Sequence, residues 1–83
     1  MMSTSRDEIR EWLARARKAN ATHMIVVCDT YDHEDYPIDV MPGQDVRQVY
    51  DQYNGPNMQR VMEIYNLSMD LEAQLLETRA RNF

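Results

Sequence analysis

The segment MIVVCDTYDHEDYPIDV, residues 24–40, decides the fold, because two apolar runs flank a short and strongly acidic one. Both flanking runs are too short for convincing helices, and their β-branched residues predict strands. Successive residues over 24–28 are all apolar, which is typical of a central strand buried on both faces. Pro37 cannot donate to a hydrogen-bond ladder and favours a sheet edge for the second run. The two runs therefore predict a β-hairpin.

A helix is predicted on the N-terminal side of this hairpin. Ser5 and Glu8 form a capping-box pattern, and Asn20 can adopt the left-handed conformation that ends a helix. Between these signals one apolar stripe recurs at helical spacing, formed by Ile9, Trp12, Leu13 and Ala16. We interpret Trp12 as a core anchor rather than as a ring that stacks on a ligand.

Two further elements follow the hairpin. Asp45 precedes a short helix, which the sequence Asn-Gly-Pro at 54–56 ends. The apolar positions of this helix are Val46, Val49, Tyr50 and Tyr53. Residues 60–67 are ambiguous between helix and strand. Their β-branched and aromatic content favours a strand, as does the need of a small sheet for a third strand.

The last predicted helix begins at Ser68, a suitable N-cap residue. Met69, Ala73, Leu76 and Ala80 form one apolar line, while Leu71 and Leu75 lie well around from it. This apolar surface is wider than one sheet face needs. We expect a homodimer contact through Leu71, Leu75 and Leu76 to bury the excess, and a longer wrap around the chain's own sheet is the alternative.

These elements give the order α-β-β-α-β-α. Helices on a small, three-stranded and mainly antiparallel sheet make an α+β fold. With 83 residues, the chain 1–83 is expected to form a single domain. A core of this size is marginal, which is a further reason to expect pairing with a second copy.

Composition excludes several classes of partner. The formal net charge is −5, and residues 21–58 hold seven acidic residues against Arg47 alone. Binding to nucleic acid requires the reverse, a basic stripe. No apolar run approaches the roughly 18 residues that span a membrane, and residues 1–10 lack the apolar core of a secretory signal. Cys28 is the only cysteine, so no internal disulfide is possible. We expect a cytoplasmic protein with neither a nucleic-acid nor a membrane partner.

The acidic segment between the strands is the candidate site. Aspartate-rich loops are commonly solvated turns. Exposed tyrosines among charged residues are also typical of protein-binding surfaces, and a negative loop speeds encounter with a basic partner. A metal site is the third interpretation, although the spacing matches no calcium loop and His33 has no second ligand histidine. The residues assigned to partner binding are Asp29, Tyr31, Asp32, His33, Glu34, Asp35 and Tyr36.

Catalytic patterns are weak by comparison. Cys28 lies in an apolar strand, where a thiol stays protonated and inert, and alternation places His23 on the opposite face. No carboxylate pair is singled out by spacing, and two glycines cannot build a phosphate-binding loop. We therefore expect no enzyme activity, no resident metal and no cofactor.

The combination ATHMIVVCDTYDHEDYPIDV, residues 21–40, with NMQRVMEIYNLSMDLEAQL, residues 57–75, resembles a family of small bacterial and bacteriophage proteins. The resemblance extends over most of the chain from the first helix onward. No activity is established for that family, so no site residue carries over. The resemblance implies an accessory protein of phage or prophage origin that acts on a host component.

Two functions of different classes follow from these observations. The first is a non-catalytic protein that binds and modulates a host protein, for example a defence component, through the acidic loop. The alternative is a protein that sequesters a nucleotide-like small molecule in a pocket at a homo-oligomer interface. There Trp12 or a tyrosine would stack on the base, and Arg47 or Arg60 would pair with phosphate.

Overall fold

The structure, a computed structural model, describes residues 5–55 and 58–83. It confirms an α+β fold with the predicted order of elements. In chain order these are α1 (Arg6–Lys18), β1 (His23–Asp29), β2 (Glu34–Val40), α2 (Val46–Tyr53), β3 (Gln59–Asn66) and α3 (Leu71–Leu75). No helix in these two ranges is both long enough and apolar enough to cross a membrane.

The three strands form an antiparallel sheet in the order β2-β1-β3. β1 is central, as its continuous apolar sequence predicts, and β2 with Pro37 lies at an edge. β1 and β2 form the predicted hairpin, in which Ile25 pairs with Ile38 and Asp29 with Glu34. The third strand, predicted over 60–67, is confirmed and shifted by one residue at each end.

Helix α1 begins and ends where its sequence signals predict. The hydroxyl of Ser5 accepts a hydrogen bond from the backbone N–H of Glu8 at 3.1 Å. At the other end Asn20 has φ 66°, the left-handed conformation that stops the helix. The buried residues of the helix are Ile9, Leu13 and Ala16, three of the four predicted stripe positions. Trp12, the fourth, is partly buried and packs against the same core cluster.

The sheet is covered on both faces by separate core clusters. On one face α1 and α3 pack over Met24, Val26 and Tyr65. On the other face α2 packs through Val49 over a second cluster, which contains Ile25, Val27, Val40, Val61 and Ile64. Adjacent β1 residues thus enter different clusters, which is the physical reason for their uninterrupted apolar sequence.

A β-bulge in β3 decides which of its residues reach each face. Val26 of β1 pairs with Glu63, whereas Val27 pairs with Val61, so Met62 is the extra residue. Because of this shift Val61 and Ile64 lie on the α2 face. Glu63 and Tyr65 lie on the α1 face, where both side chains are buried.

The C-terminal helix is much shorter than the sequence predicts, and the prediction that it begins at Ser68 is wrong. Asp70, not Ser68, is the N-cap: its carboxylate accepts from the backbone N–H groups of Glu72 and Ala73. The hydroxyl of Ser68 instead donates to the side-chain oxygen of Asn66 at 2.6 Å. Met69 therefore precedes the helix and is exposed.

Beyond α3 the chain runs along the outer edge of β3 rather than continuing as a helix. Ile64 donates its backbone N–H to the carbonyl of Ala80 at 2.8 Å, and Asn82 donates to the carbonyl of Ile64 at 3.1 Å. These bonds satisfy an otherwise open strand edge. Ala80 is buried as the apolar pattern suggests, but as part of this extended segment.

Candidate functional site

The hairpin tip, defined as residues 30–33, is a turn organised by Asp29. The Asp29 carboxylate accepts hydrogen bonds from the backbone N–H of Tyr31 at 2.8 Å and of Asp32 at 3.3 Å. The backbone N–H of His33 donates to the Asp29 carbonyl at 2.7 Å, and His33 has φ 59°. An aspartate that accepts from the next residues is a standard turn former. The tip therefore has a defined conformation.

The tip is also hydrogen-bonded to Met58, the residue that precedes β3. Both the backbone N–H and the hydroxyl of Thr30 donate to the carbonyl of Met58, each at 2.8 Å. The Asp29 carboxylate takes part in the turn through Oδ1, and Asp29 is partly buried. Asp29 acts in positioning the surface rather than in offering a free charge.

The seven predicted partner-binding residues divide by exposure. Tyr31 exposes 73% of its surface, and Asp32, His33 and Glu34 are exposed around it. Tyr36 is different: it is partly buried, packs against the α2-face cluster and accepts a hydrogen bond from the Gln59 side chain. The pair of exposed tyrosines expected from sequence is thus a single one at the tip. The assignment of these residues to partner binding stays a prediction.

The acidic surface extends from the tip along the edge strand β2. Asp35 and Asp39 occupy alternate positions of the strand and lie on the same face of the sheet. Asp39 is exposed and Asp35 partly buried. Together with Asp32 and Glu34 they form a negative strip along one edge of the molecule. This strip has no covering strand among the described residues.

The single thiol lies beside this strip and is poorly suited to nucleophilic chemistry. Cys28 pairs across the sheet with Asp35 on one side and Arg60 on the other. Burial raises the pKa of the Cys28 thiol, and the adjacent Asp35 adds to that effect. His23 lies at the opposite end of β1, about 16 Å away at the usual rise of a strand. The structure does not bring these two residues together.

Metal ligands are not assembled in the described parts of the chain. Within 5–55 and 58–83, no three His, Cys, Asp or Glu side chains are grouped so as to hold an ion.

A buried polar cluster on the α1 face was not anticipated from sequence. The Tyr65 hydroxyl donates to Glu63 Oε1 at 2.6 Å. Arg6 Nη1 donates to the same oxygen at 3.0 Å and to the Tyr65 hydroxyl at 2.9 Å. Burial raises the pKa of Tyr65, and its bond to the Glu63 carboxylate raises it further. The sequence did contain one signal for this cluster: Glu63 and Tyr65 are two residues apart in an apolar strand, so their side chains lie on the same face.

This cluster forms one wall of a cleft of about 220 Å³ between α1 and the sheet. Arg6 and Glu63 line it together with Arg79 and Asp35. Since Arg6, Glu63 and Tyr65 satisfy one another, we interpret the cluster as a structural lock between α1 and β3. It orients the charged groups of the cleft and holds no free nucleophile.

The residues assigned to small-molecule binding are dispersed. The guanidinium of Arg47 lies 4.2 Å from the centre of the Phe83 ring and is held there by a cation–π contact. Trp12 packs against the α1-face core. Arg60 lines a separate cavity at the outer edge of β3. No stacking ring and phosphate-pairing arginine from that prediction meet in one described cavity.

The three leucines assigned to a dimer contact also differ in environment. Leu75 exposes only 4% of its surface and belongs to the protomer's own core, where Leu71 packs beside it, partly buried. Leu76 exposes 88%. Of the predicted set, Leu76 is the residue that offers apolar surface to a second copy.

Comparison with known proteins adds no relative: no family model, no curated protein and no solved structure matches this chain. The functional argument therefore rests on the site itself.

Proposed function

We propose that this chain is a non-catalytic binding protein whose hairpin tip and acidic strip engage a basic surface of a partner protein. One observation carries the proposal: Tyr31, with 73% of its surface exposed, stands on a turn held by the Asp29 carboxylate and by Thr30. A large exposed aromatic residue on a fixed turn is the arrangement from which binding hot spots are built.

The order of the tip supports recognition energetically. Association costs free energy for every loop and side chain that must be immobilised. Here the backbone bonds of Tyr31, Asp32 and His33 to Asp29 already hold the turn. A partner that covers Tyr31 therefore orders little beyond the tyrosine side chain.

Charge supports a basic partner. Asp32 and Glu34 closely follow Tyr31 in the chain and are exposed, and Asp39 continues the negative strip along β2. Such a surface accelerates encounter with a positive one and disfavours acidic partners. Pro37 and the acidic residues on β2 also disfavour edge-to-edge pairing with another strand, so we assign recognition to side chains.

The identity of the partner is proposed from the resemblance to bacterial and bacteriophage proteins. On that basis the partner is a host protein, and modulation of a host enzyme or defence component in the host cytoplasm is the concrete form. A homodimer formed around Leu76 would present two hairpin tips to that partner. No catalytic step is part of the proposal.

Affinity capture from a bacterial host lysate tests the proposal. The immobilised baits are the wild-type chain, Tyr31→Ala, Asp32→Lys and Glu11→Lys. Glu11 is exposed on α1 and makes the same charge change as Asp32 at another site, so Glu11→Lys is the matched control. We expect one protein to be retained by the wild type and by Glu11→Lys and lost from both tip variants.

The captured protein must then bind in purified form, with an affinity that falls as salt concentration rises. Equal retention by all four baits, with each variant shown to be folded by circular dichroism, contradicts a role for the tip.

A further inference from the structure

Three arginines converge at the outer edge of β3, where the chain returns after α3. Arg60, Arg79 and Arg81, with Val61 and Met62, line a cavity of about 130 Å³ that we call the arginine pocket. Among the described residues, no acidic side chain lines it. The composition of the chain, 14 acidic residues against nine basic ones, makes a cavity whose charged residues are all arginines unexpected.

The three guanidiniums lack carboxylate partners in the described structure. Among the arginines of residues 5–55 and 58–83, ion pairs are seen for Arg6 and Arg10 and not for these three. Asp35 and Glu63 line the adjacent cleft that shares Arg79 with the pocket, but they do not line the pocket itself. Like charges brought together without compensation repel one another, and a bound anion removes that repulsion.

Arg81 is fixed in place before any ligand arrives. Its Nη1 donates to the carbonyls of Met62 and of Ala80, and Nη2 donates to the carbonyl of Val61 at 3.2 Å. These three bonds leave Nε–H and one Nη2–H without an acceptor among the described residues. That pair of neighbouring donors is the fork that binds two oxygens of one anion.

Arg79 stands on a strained backbone at the same cavity. Its φ is 57°, in the left-handed region that non-glycine residues rarely adopt. Its side chain makes no hydrogen bond or ion pair with the described residues. Strained residues are often kept at ligand sites, where the side chain is used in binding.

We propose that the arginine pocket binds the phosphate group of a small ligand. Three guanidiniums favour a dianion over a single carboxylate. The volume of the pocket is smaller than the roughly 300 Å³ at the lower end of pockets that hold a whole drug-sized molecule. The pocket therefore takes the phosphate group, and the remainder of the ligand lies outside on the surface. The site is independent of partner binding by the hairpin tip.

Titration with inorganic phosphate at constant ionic strength tests the site, followed by backbone amide chemical shifts and by Tm. We expect saturable shifts in residues 60–62 and 79–81 and a saturable rise in Tm. Arg60→Gln and Arg79→Gly each remove one guanidinium. Each should raise the dissociation constant for phosphate about tenfold or more. Arg79→Gly keeps the fold, because glycine adopts φ 57° without strain.

Arg15→Gln is the matched control, since Arg15 is exposed on α1 and lies outside the pocket. It should bind phosphate as the wild type does. Acetate at the same ionic strength should cause no saturable change in the amide chemical shifts or in Tm. Equal effects of phosphate and acetate, or equal phosphate affinity in Arg79→Gly and wild type, overturn the proposal.

A phosphomonoester such as ribose 5-phosphate distinguishes two sources of the anion. Tighter binding than inorganic phosphate identifies the ligand as an ester, and equal binding identifies it as free phosphate. Both results support the site. Capture of the protein partner by Arg79→Gly should be unchanged, so failure here is distinguishable from failure of the hairpin proposal.

Discussion

At the scale of single residues, the Arg6–Glu63–Tyr65 cluster is the most exacting feature of the core. It places a carboxylate and a phenol under α1, where the Glu63 carboxylate and the Tyr65 hydroxyl bond to each other and to Arg6. Groups buried in this way contribute modestly when paired but cost far more when a partner is removed. Single substitutions in the cluster should therefore lower the free energy of unfolding of the whole chain.

We expect Tyr65→Phe to lower the free energy of unfolding by about 1–2 kcal/mol, because it leaves the Glu63 carboxylate without its buried donor. Urea denaturation at neutral pH measures the change. Tyr31→Phe, which removes an exposed hydroxyl, is the control and should alter stability by less than about 0.5 kcal/mol. Two equal values would mean that the buried hydroxyl contributes nothing specific.

The same tyrosine predicts a loss of stability at alkaline pH. Burial and the Glu63 carboxylate raise the pKa of Tyr65 above its ordinary value of about 10. The protonated form of Tyr65 is thus favoured in the folded state. Its contribution to the free energy of unfolding is fully present below about pH 10. As pH rises above 10 the unfolded chain ionises first, so stability falls.

Urea midpoints measured between about pH 8 and pH 11 should therefore decline more steeply for the wild type than for Tyr65→Phe. Tyr31→Phe should follow the wild-type curve. Parallel curves for the wild type and Tyr65→Phe would contradict the assigned direction of the Tyr65 shift.

At the scale of elements, β3 explains why the C-terminal helix is short. Its outer edge offers backbone groups that need partners, and the extended segment around Ala80 supplies them. Gln74 contributes from within α3: its side-chain amide accepts from the Asn66 N–H at 2.7 Å and donates to the Asn66 carbonyl at 2.9 Å. Helical periodicity alone cannot reveal such competition from a strand edge.

Leu75 and Leu76 test this description of α3. Leu75→Ala opens a cavity in the α1-face core and should cost about 2–4 kcal/mol of unfolding free energy. Leu76→Ala should cost less than about 0.5 kcal/mol at protein concentrations where the chain is monomeric. Urea denaturation of both variants measures this. Similar losses would indicate that the helix continues past Leu76 and packs it inward.

At the scale of the whole molecule, the charges are segregated more sharply than the net value of −5 suggests. One edge, formed by the hairpin tip and β2, is acidic. The opposite edge of the sheet carries Arg60, Arg79 and Arg81. The chain thus carries two surfaces of opposite charge, and our two proposals assign the acidic one to a basic protein and the basic one to a small anion.

The proposed homodimer is the prediction that belongs to this scale. Leu76 is exposed by 88%, and Met69 adds exposed apolar surface nearby in sequence. Sedimentation equilibrium should show a dimer for the wild type and a monomer for Leu76→Asp, because the change buries a charge at the contact. Leu76→Asp should remain folded. A wild-type monomer at high protein concentration would refute the dimer and leave the fold unaffected.

Much of the candidate site followed from local chemistry. The acidic residues, the turn-forming Asp29 and the edge position of Pro37 are visible in residues 24–40 alone. The inward position of Tyr36 cannot be seen in that segment, because Tyr36 packs against the α2-face cluster and accepts a hydrogen bond from Gln59 of β3. The arginine pocket joins residues 60 and 79–81, which no short-range pattern connects.

The sequence by itself determined the element order, the ends of α1, the central place of β1 and the edge place of β2. Each depends on local signals: caps, proline, and whether apolar residues alternate or run on. Only the tertiary structure decided the bulge at Met62, the length of α3 and the pocket at β3. Those features arise where backbone groups distant in sequence compete for the same hydrogen bonds, a competition that is settled in three dimensions.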